Sequence, residues 1–161
     1  MTKPEELFAR HHRDVLRYLW HMTGRFDEAE DLTQEVFVKV VCAIKNGGSI
    51  GHERGWVFSI ARNLLADQRR EQRRRVEAEA VREPVMRESH GLAFDLRQSL
   101  QELPAADCEI LLLKEVGGLS YQEISEACQC SVEAVRARLH RARVALRTIM
   151  SPAAAGRDNE S

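Results

Sequence analysis

Apolar residues recur at intervals of three and four through most of the chain, which is the spacing of amphipathic α-helices. The spacing is clearest in two segments, with apolar positions at Phe8, Val15, Leu19 and Met22, and then at Ala29, Leu32, Val36, Val40 and Ile44. A third helix is predicted from about Glu53 past Arg70, with Trp56, Ile60 and Leu64 on its buried side. No strand pattern stands out, so the sequence predicts an all-α fold.

Composition changes along the chain and divides it into two parts. The stretch from Val76 to Gly91 is rich in charge, poor in large apolar residues and interrupted by Pro84, so it cannot bury much surface. We therefore predict two small helical domains, residues 1–75 and 94–150, joined by a flexible linker over 76–93. Residues 151–161 are small and polar and are predicted to form a disordered tail.

A helix-turn-helix is predicted in the second domain. Ser120 is followed three residues later by Glu123, which is the pattern of a capping box at a helix start. The new helix is short, because Gln129 and Cys130 break its pattern and Ser131 offers a second N-cap. Two helices therefore meet at a tight turn.

The second helix of this motif combines an apolar stripe with a basic outer surface. The stripe consists of Val132, Val135, Leu139, Ala142 and Leu146. At about 100° per residue, Ala137 and Arg141 lie opposite the stripe, while Arg136, Arg138 and His140 lie on its flanks. Arginine bonds guanine edges and phosphates, so the surface suits a DNA major groove, although a merely solvated basic helix is the alternative.

The first domain places an acidic helix before a basic one. Residues 27–35 contain no basic side chain, and Asp31 and Glu35 share a face with Gln34 beside them. Composition alone is compatible with a solvated surface or a partner-binding face. The third helix ends in a basic cluster made of Arg62, Arg69, Arg70, Arg73, Arg74 and Arg75. This cluster is predicted to attract phosphate, and the nearby Trp56 and Phe58 belong to residue types that stack on unpaired bases.

Charge and cysteine usage narrow the classes of function. The formal net charge is only -1, so DNA affinity must come from local patches. Four cysteines lack the paired spacing of a zinc ribbon, and we expect them to be reduced thiols without a metal or cofactor. The N-terminus lacks an apolar signal region, and no apolar run is long enough for membrane insertion, so we expect a cytoplasmic protein.

Three segments together resemble the extracytoplasmic-function (ECF) group of bacterial sigma factors, a group within the sigma-70 family. EDLTQEVF at 30–37 is similar to the polymerase-docking helix of the family, and WVFSIARNLLADQRR at 56–70 to its minus-ten segment. LSYQEIS at 119–125 with SVEAVRARLHRAR at 131–143 is similar to its minus-thirty-five reader. The resemblance implies core RNA polymerase, promoter DNA and an anti-sigma factor as partners.

The resemblance also implies roles for individual residues. Asp31, Gln34 and Glu35 would contact the clamp-helix coiled coil of the largest polymerase subunit, which favours the partner-binding interpretation of that face. The minus-ten element would be met by Arg62, Asn63, Asp67 and Arg70, with residues 47–54 as a candidate pocket for a flipped base. The minus-thirty-five element would be met by Ser131, Arg136, Arg138, His140 and Arg141.

The chain departs from the family pattern in its reading helix. Glu133 and Ala134 stand where members often carry Gly-Thr, and Ala137 stands where they often carry Ser, so two hydroxyls are missing. The base preference of this helix is therefore left open.

Two other classes of function compete with this interpretation. An ordinary helix-turn-helix regulator would bind duplex DNA without polymerase, but it has no need of an acidic helix followed by an aromatic and basic one. An enzyme is disfavoured because the sequence has no nucleophile motif, phosphate-binding glycine loop or metal-ligand set. His11 and His12 are predicted to be surface residues of an amphipathic helix.

Overall fold

A computed structural model of the chain describes residues 3–47, 51–78 and 92–151, and these residues form seven helices without a β-strand. The helices are α1 (Pro4–Thr23), α2 (Phe26–Lys45), α3 (Glu53–Ala78), α4 (Leu92–Gln101), α5 (Ala105–Glu115), α6 (Tyr121–Cys128) and α7 (Val132–Met150). The first three belong to one compact unit and the last four to another. The predicted all-α fold with two helical domains is confirmed.

Local chemistry explains where the helices of the first unit begin and end. Pro4 begins α1, where its missing N–H and fixed φ cost nothing, and acidic residues follow in the first turn. The helix ends at Gly24, whose φ of 74° is left-handed and whose N–H donates to the carbonyl of Trp20 over 2.8 Å. The connection to α2 is therefore short and fixed.

Three helices enclose the core of the first unit. The buried apolar residues are Leu7, Val15, Tyr18 and Leu19 from α1, Ala29, Leu32, Val36, Phe37 and Val40 from α2, and Val57, Phe58, Ala61, Leu64 and Leu65 from α3. The rings of Tyr18 and Phe58 meet edge to face, with their centroids 5.6 Å apart. This core fixes which faces of α2 and α3 remain exposed.

The second unit holds a separate core around α5, α6 and α7. Its fully buried side chains include Ile110, Leu113, Leu119, Ile124 and Leu139. The turn between α6 and α7 is closed by the backbone, because the N–H groups of Gln129 and Cys130 both donate to the carbonyl of Ser125. The predicted helix-turn-helix is present.

Several details of the predicted core are wrong. Phe8 is 47% exposed, because it lies at the edge of the unit, stacked on His12 and edge-on to Phe37. Trp56 and Ile60 are only half-buried, because α3 packs on both α1 and α2 and its buried arc is rotated by about one residue from the predicted one.

The limits of the two predicted domains stay predictions. Helix α3 continues to Ala78 and α4 begins at Leu92, so both ends of the predicted linker are helical. Residues 79–91 of that linker and residues 152–161 of the predicted tail lie outside the described residues. Within the described ranges, none of the helices is both long and apolar enough to cross a bilayer.

Candidate nucleic-acid and protein interface

The outer face of α2 carries the three predicted polymerase-binding residues. Asp31, Gln34 and Glu35 are all exposed, and with Val38 and Lys39 they line a shallow depression on the helix. Their exposure follows from the packing of α2, which buries its opposite face. Val38 is 61% exposed, so the surface combines two carboxylates with an apolar side chain.

An acidic groove separates α2 from α3, and it begins at the same residues. Carboxylates outnumber cationic groups along it, and its polar lining consists of Glu28, Asp31, Glu35, Asp67, Gln68, Glu71, Gln72 and Arg75. Arg75 lies 3.8 Å from Glu71, which offsets part of the negative charge at that end. Glu28 lies 3.3 Å from Arg25, and Asp67 pairs with Arg70, so the negative charge of the groove is concentrated at Asp31 and Glu35. This part of the groove suits a basic protein segment.

The predicted minus-ten residues occupy two positions around α3. Asn63, Asp67 and Arg70 are exposed and spaced by four and three residues, so they share one face, whereas Arg62 is half-buried on another side. Arg70 and Asp67 form an ion pair. Asp67 also lines the acidic groove together with residues of α2.

The basic cluster of α3 is not uniform. Arg69 is half-buried and donates to the main-chain carbonyl of Met22 over 3.1 Å, at the C-terminal end of α1. A cation is favourable there because the last carbonyls of a helix carry partial negative charge. Arg73 and Arg74 are exposed and remain the cationic groups best suited to phosphate.

A charged network ties the start of α3 to α1. Glu53 accepts hydrogen bonds from Arg10 over 2.9 Å and from Nε2 of His11 over 3.2 Å, and Arg54 donates to Asp14 over 3.2 Å. The network includes Glu53 and Arg54, the last two residues of the predicted base pocket at 47–54, of which residues 48–50 lie outside the described residues.

His11 itself is buried rather than on the surface. It is only 4% exposed, so the surface prediction is wrong for this residue, while His12 is half-buried. Burial lowers the pKa of His11 from its ordinary value of 6.5, and the hydrogen bond with Glu53 opposes that shift. Local sequence patterns could not predict this contact, because Glu53 is 42 residues away from His11 in the chain.

Both predicted helix caps of the helix-turn-helix are confirmed. The hydroxyl of Ser120 accepts from the N–H of Glu123 over 3.1 Å, and the carboxylate of Glu123 accepts from the N–H of Ser120 over 2.9 Å. The hydroxyl of Ser131 accepts from the N–H of Ala134 over 3.1 Å. These hydrogen bonds fix the start of α7. In helix-turn-helix proteins, the corresponding end of the second helix enters the major groove of DNA.

The structure distributes the predicted basic residues of α7 around its outer surface. Arg136, His140 and Arg141 are exposed and Arg138 is half-buried, while Val135, Leu139 and Ala142 form the buried stripe. The guanidinium of Arg136 lies 5.7 Å from the ring centroid of Tyr121 on α6.

Two arginines of α7, the predicted Arg141 and the additional Arg143, pair with carboxylates of α5. Arg141 lies 3.3 Å from Asp107, and Arg143 lies 2.6 Å from Glu115. Sequence patterns did not predict these partners, which lie 34 and 28 residues away.

The cysteines form no metal site among the described residues. Cys42, Cys108, Cys128 and Cys130 form no disulfide bond, and the described part of the chain holds no group of three or more His, Cys, Asp or Glu side chains that could bind a metal ion.

Known families match both units. Residues 7–75 match the family model of sigma-70 region 2, and residues 93–146 match that of sigma-70, region 4. The ECF RNA polymerase sigma factor SigC of Mycobacterium tuberculosis is 31% identical over 141 residues, which cover 83% of this chain and 76% of SigC. The chain belongs to the ECF group of the sigma-70 family.

Other ECF sigma factors extend the comparison. SigE of Mycolicibacterium smegmatis is 32% identical over 163 residues, which cover 94% of this chain but only 63% of SigE. Among solved structures, the sigma factor RpoE of Bartonella quintana, crystallised with the anti-sigma factor NepR, matches with a TM-score of 0.77 at 23% identity. That match covers 91% of this chain and 95% of RpoE, and it supports the same fold.

Proposed function

We propose that this chain is a sigma factor that binds core RNA polymerase and directs it to specific promoters. The observation that carries the proposal is that a chain with a net charge of -1 has two surfaces of opposite charge. An exposed acidic face lies on α2 in the region 2 unit, and an exposed basic face lies on α7 in the region 4 unit. A protein partner and DNA are then bound by different domains.

The acidic face of α2 is the polymerase-binding surface of this proposal. Asp31 and Glu35 meet basic residues of the polymerase clamp helices, and Gln34 contributes a neutral hydrogen-bonding group between them. The groove beside α2 supports this role, because Asp31 and Glu35 also line it and attract cationic protein segments. Val38, exposed beside the carboxylates, adds apolar contact.

The exposed side of α3 meets the minus-ten element. Asn63 bonds a base edge, because its amide carries both a donor and an acceptor. Arg62 and Arg70 hold phosphates as the strands separate, and Asp67 keeps Arg70 in place through their ion pair. Residues 47–54, of which the last two begin α3, remain the candidate site for a flipped base.

The outer face of α7 meets the minus-thirty-five element. Ser131 caps the helix and fixes its entry into the major groove, while Arg136, Arg138, His140 and Arg141 contact bases and phosphates. Neither domain needs high affinity on its own. Polymerase holds both at the spacing of the two promoter elements, so each contributes through effective concentration.

The remaining properties follow from the proposed role. The protein acts in the cytoplasm, where polymerase and the chromosome are, and it has no catalytic step of its own. An anti-sigma factor is a proposed partner, supported by the fold shared with RpoE, whose solved structure is a complex with an anti-sigma factor.

Binding to core polymerase tests the proposal directly. The full chain, fluorescently labelled, is titrated with sigma-free core RNA polymerase and its anisotropy is followed. Asp31→Lys with Glu35→Lys is expected to weaken binding at least about a hundredfold, because each reversal replaces attraction by repulsion. The matched control is Glu102→Lys with Glu126→Lys, which makes the same charge change at exposed positions outside the first unit. Equal loss in both double variants would contradict the docking assignment.

A further inference from the structure

The carboxylate of Asp107 is buried beneath the outer surface of α7. Asp107 lies in the first turn of α5 and is 7% exposed, and its Oδ1 accepts a hydrogen bond from Nη2 of Arg141 over 3.3 Å. A buried carboxylate is costly unless cationic or hydrogen-bonding groups compensate it. Here the N-terminal end of α5 and the guanidinium of Arg141 supply that compensation.

Arg141 is exposed although it is anchored. Its side chain is 64% accessible, and a guanidinium has five N–H donors in a fixed planar arrangement. Within the described residues Asp107 is its hydrogen-bonding partner, so one edge of the group is tied to the protein while the rest faces outward. An arginine tied in this way loses less conformational freedom on binding a base than a freely rotating one.

The same ion pair also changes what Arg141 attracts. A carboxylate 3.3 Å away offsets much of the long-range field of the guanidinium, so its pull on phosphates in general is reduced. A hydrogen bond to a base edge depends on where the N–H groups of the guanidinium point rather than on its net charge, and the ion pair keeps them in one orientation. Both effects favour base discrimination over sequence-independent binding.

We propose that Asp107 is a positioning residue for promoter specificity, holding Arg141 in the orientation in which it contacts the minus-thirty-five element. The inference rests on the proposed sigma-factor function. Asp107 itself touches no DNA in this proposal, because its side chain is buried.

The test measures base preference rather than activity alone. Full-length protein and sigma-free core RNA polymerase transcribe a pool of promoter fragments randomised across the minus-thirty-five element, each linked to a barcode in the transcribed region. Sequencing the transcripts gives the preference at every position. The variants are Arg141→Ala, Asp107→Leu and the two combined. The control is Glu115→Gln, which also removes a carboxylate of α5 paired with an arginine of α7.

Arg141→Ala and Asp107→Leu are expected to lose base preference at the same promoter positions. Arg141→Ala lowers the preference at one or two adjacent positions by at least about fivefold, the effect of losing a bidentate base contact. Asp107→Leu lowers it at the same positions by at least about threefold, and the combined variant loses no more than Arg141→Ala. Glu115→Gln keeps the wild-type pattern.

Other results would overturn the proposal or its foundation. If Asp107→Leu keeps the wild-type preference while Arg141→Ala loses it, or if the two losses multiply, Asp107 does not position Arg141. If Asp107→Leu fails to fold by circular dichroism, Asp107→Ala carries the same test, because it also removes both acceptor oxygens but adds no larger apolar group. If the wild-type protein gives no promoter-specific transcripts, the proposed function itself fails.

Discussion

Nε2 of His11 lies 3.2 Å from Oε1 of Glu53, and this contact joins the middle of α1 to the first residue of α3. The carboxylate accepts, so the neutral imidazole donates from Nε2. Nδ1 is buried and has no hydrogen-bond partner within the described residues. Protonation of His11 would place a second proton in this buried site, next to Arg10 and Arg54.

Stability of the first unit should therefore depend on pH. Burial lowers the pKa of His11 below 6.5 in the folded protein, so just below pH 6.5 the unfolded chain binds more protons. The stabilisation is complete above pH 6.5 and is lost as pH falls through the folded pKa. We expect the free energy of unfolding to decrease between pH 7 and pH 5.

Tryptophan fluorescence can measure the pH dependence of the first unit separately from the unfolding of the second unit. Both tryptophans of the chain, Trp20 and Trp56, lie in the first unit, so their emission during urea unfolding reports on that unit alone. His11→Gln should flatten the decrease, and His12→Gln should retain it because the contact with Glu53 remains. An unchanged slope in His11→Gln would show that another group is responsible.

The contact between Arg69 and the end of α1 predicts that Arg69 stabilises the fold, although it belongs to the basic cluster that is predicted to attract phosphate. Arg69→Ala should destabilise the first unit by about 1 kcal/mol, because the carbonyl of Met22 loses a charged donor. Arg74→Ala should have no measurable effect, since Arg74 is exposed. Urea unfolding followed by tryptophan emission compares the two, and equal stabilities would refute the assignment.

Arg74 should instead affect DNA binding without regard to sequence. Arg74→Ala is expected to weaken promoter complexes of polymerase equally on different promoters, and to reduce the slope of log affinity against log salt by about 1. Filter binding over a series of salt concentrations measures both. A loss confined to particular promoter sequences would mean that Arg74 contacts a base.

The caps of the helix-turn-helix should contribute measurably to the second unit. Ser131→Ala is expected to cost about 1 kcal/mol, because the N–H of Ala134 loses its acceptor. Ser131→Asp should restore most of it, since aspartate is also a good N-cap. Helical circular dichroism should report the loss, while tryptophan emission stays unchanged. Equal stability of the alanine variant would contradict the role of the cap.

Sequence patterns predicted the parts of the structure that local chemistry determines. The caps at Ser120 and Ser131 were predictable because both partners lie within three residues. The exposed face of α2 followed from its apolar spacing. The contacts of His11, Arg69 and Arg141 were not predictable, because their partners are 34 to 47 residues away and depend on how the helices pack.

The burial of α3 shows a second limit of pattern analysis. Its spacing alone was compatible with a buried side through Trp56 and Ile60, but packing against two helices selected Val57, Phe58 and Ala61 instead. The spacing of apolar residues identifies a helix more reliably than it identifies which residues lie at the centre of the buried face.

Run-off transcription shows whether the protein directs polymerase to promoters. The full chain is mixed with sigma-free core RNA polymerase and a library of promoter fragments, alongside reactions without the protein and with Asp31→Lys and Glu35→Lys combined. Start-site-specific transcripts are expected with the wild-type protein, and none in either control. If transcripts are absent while the protein alone binds duplex DNA tightly, it is a helix-turn-helix regulator rather than a sigma factor.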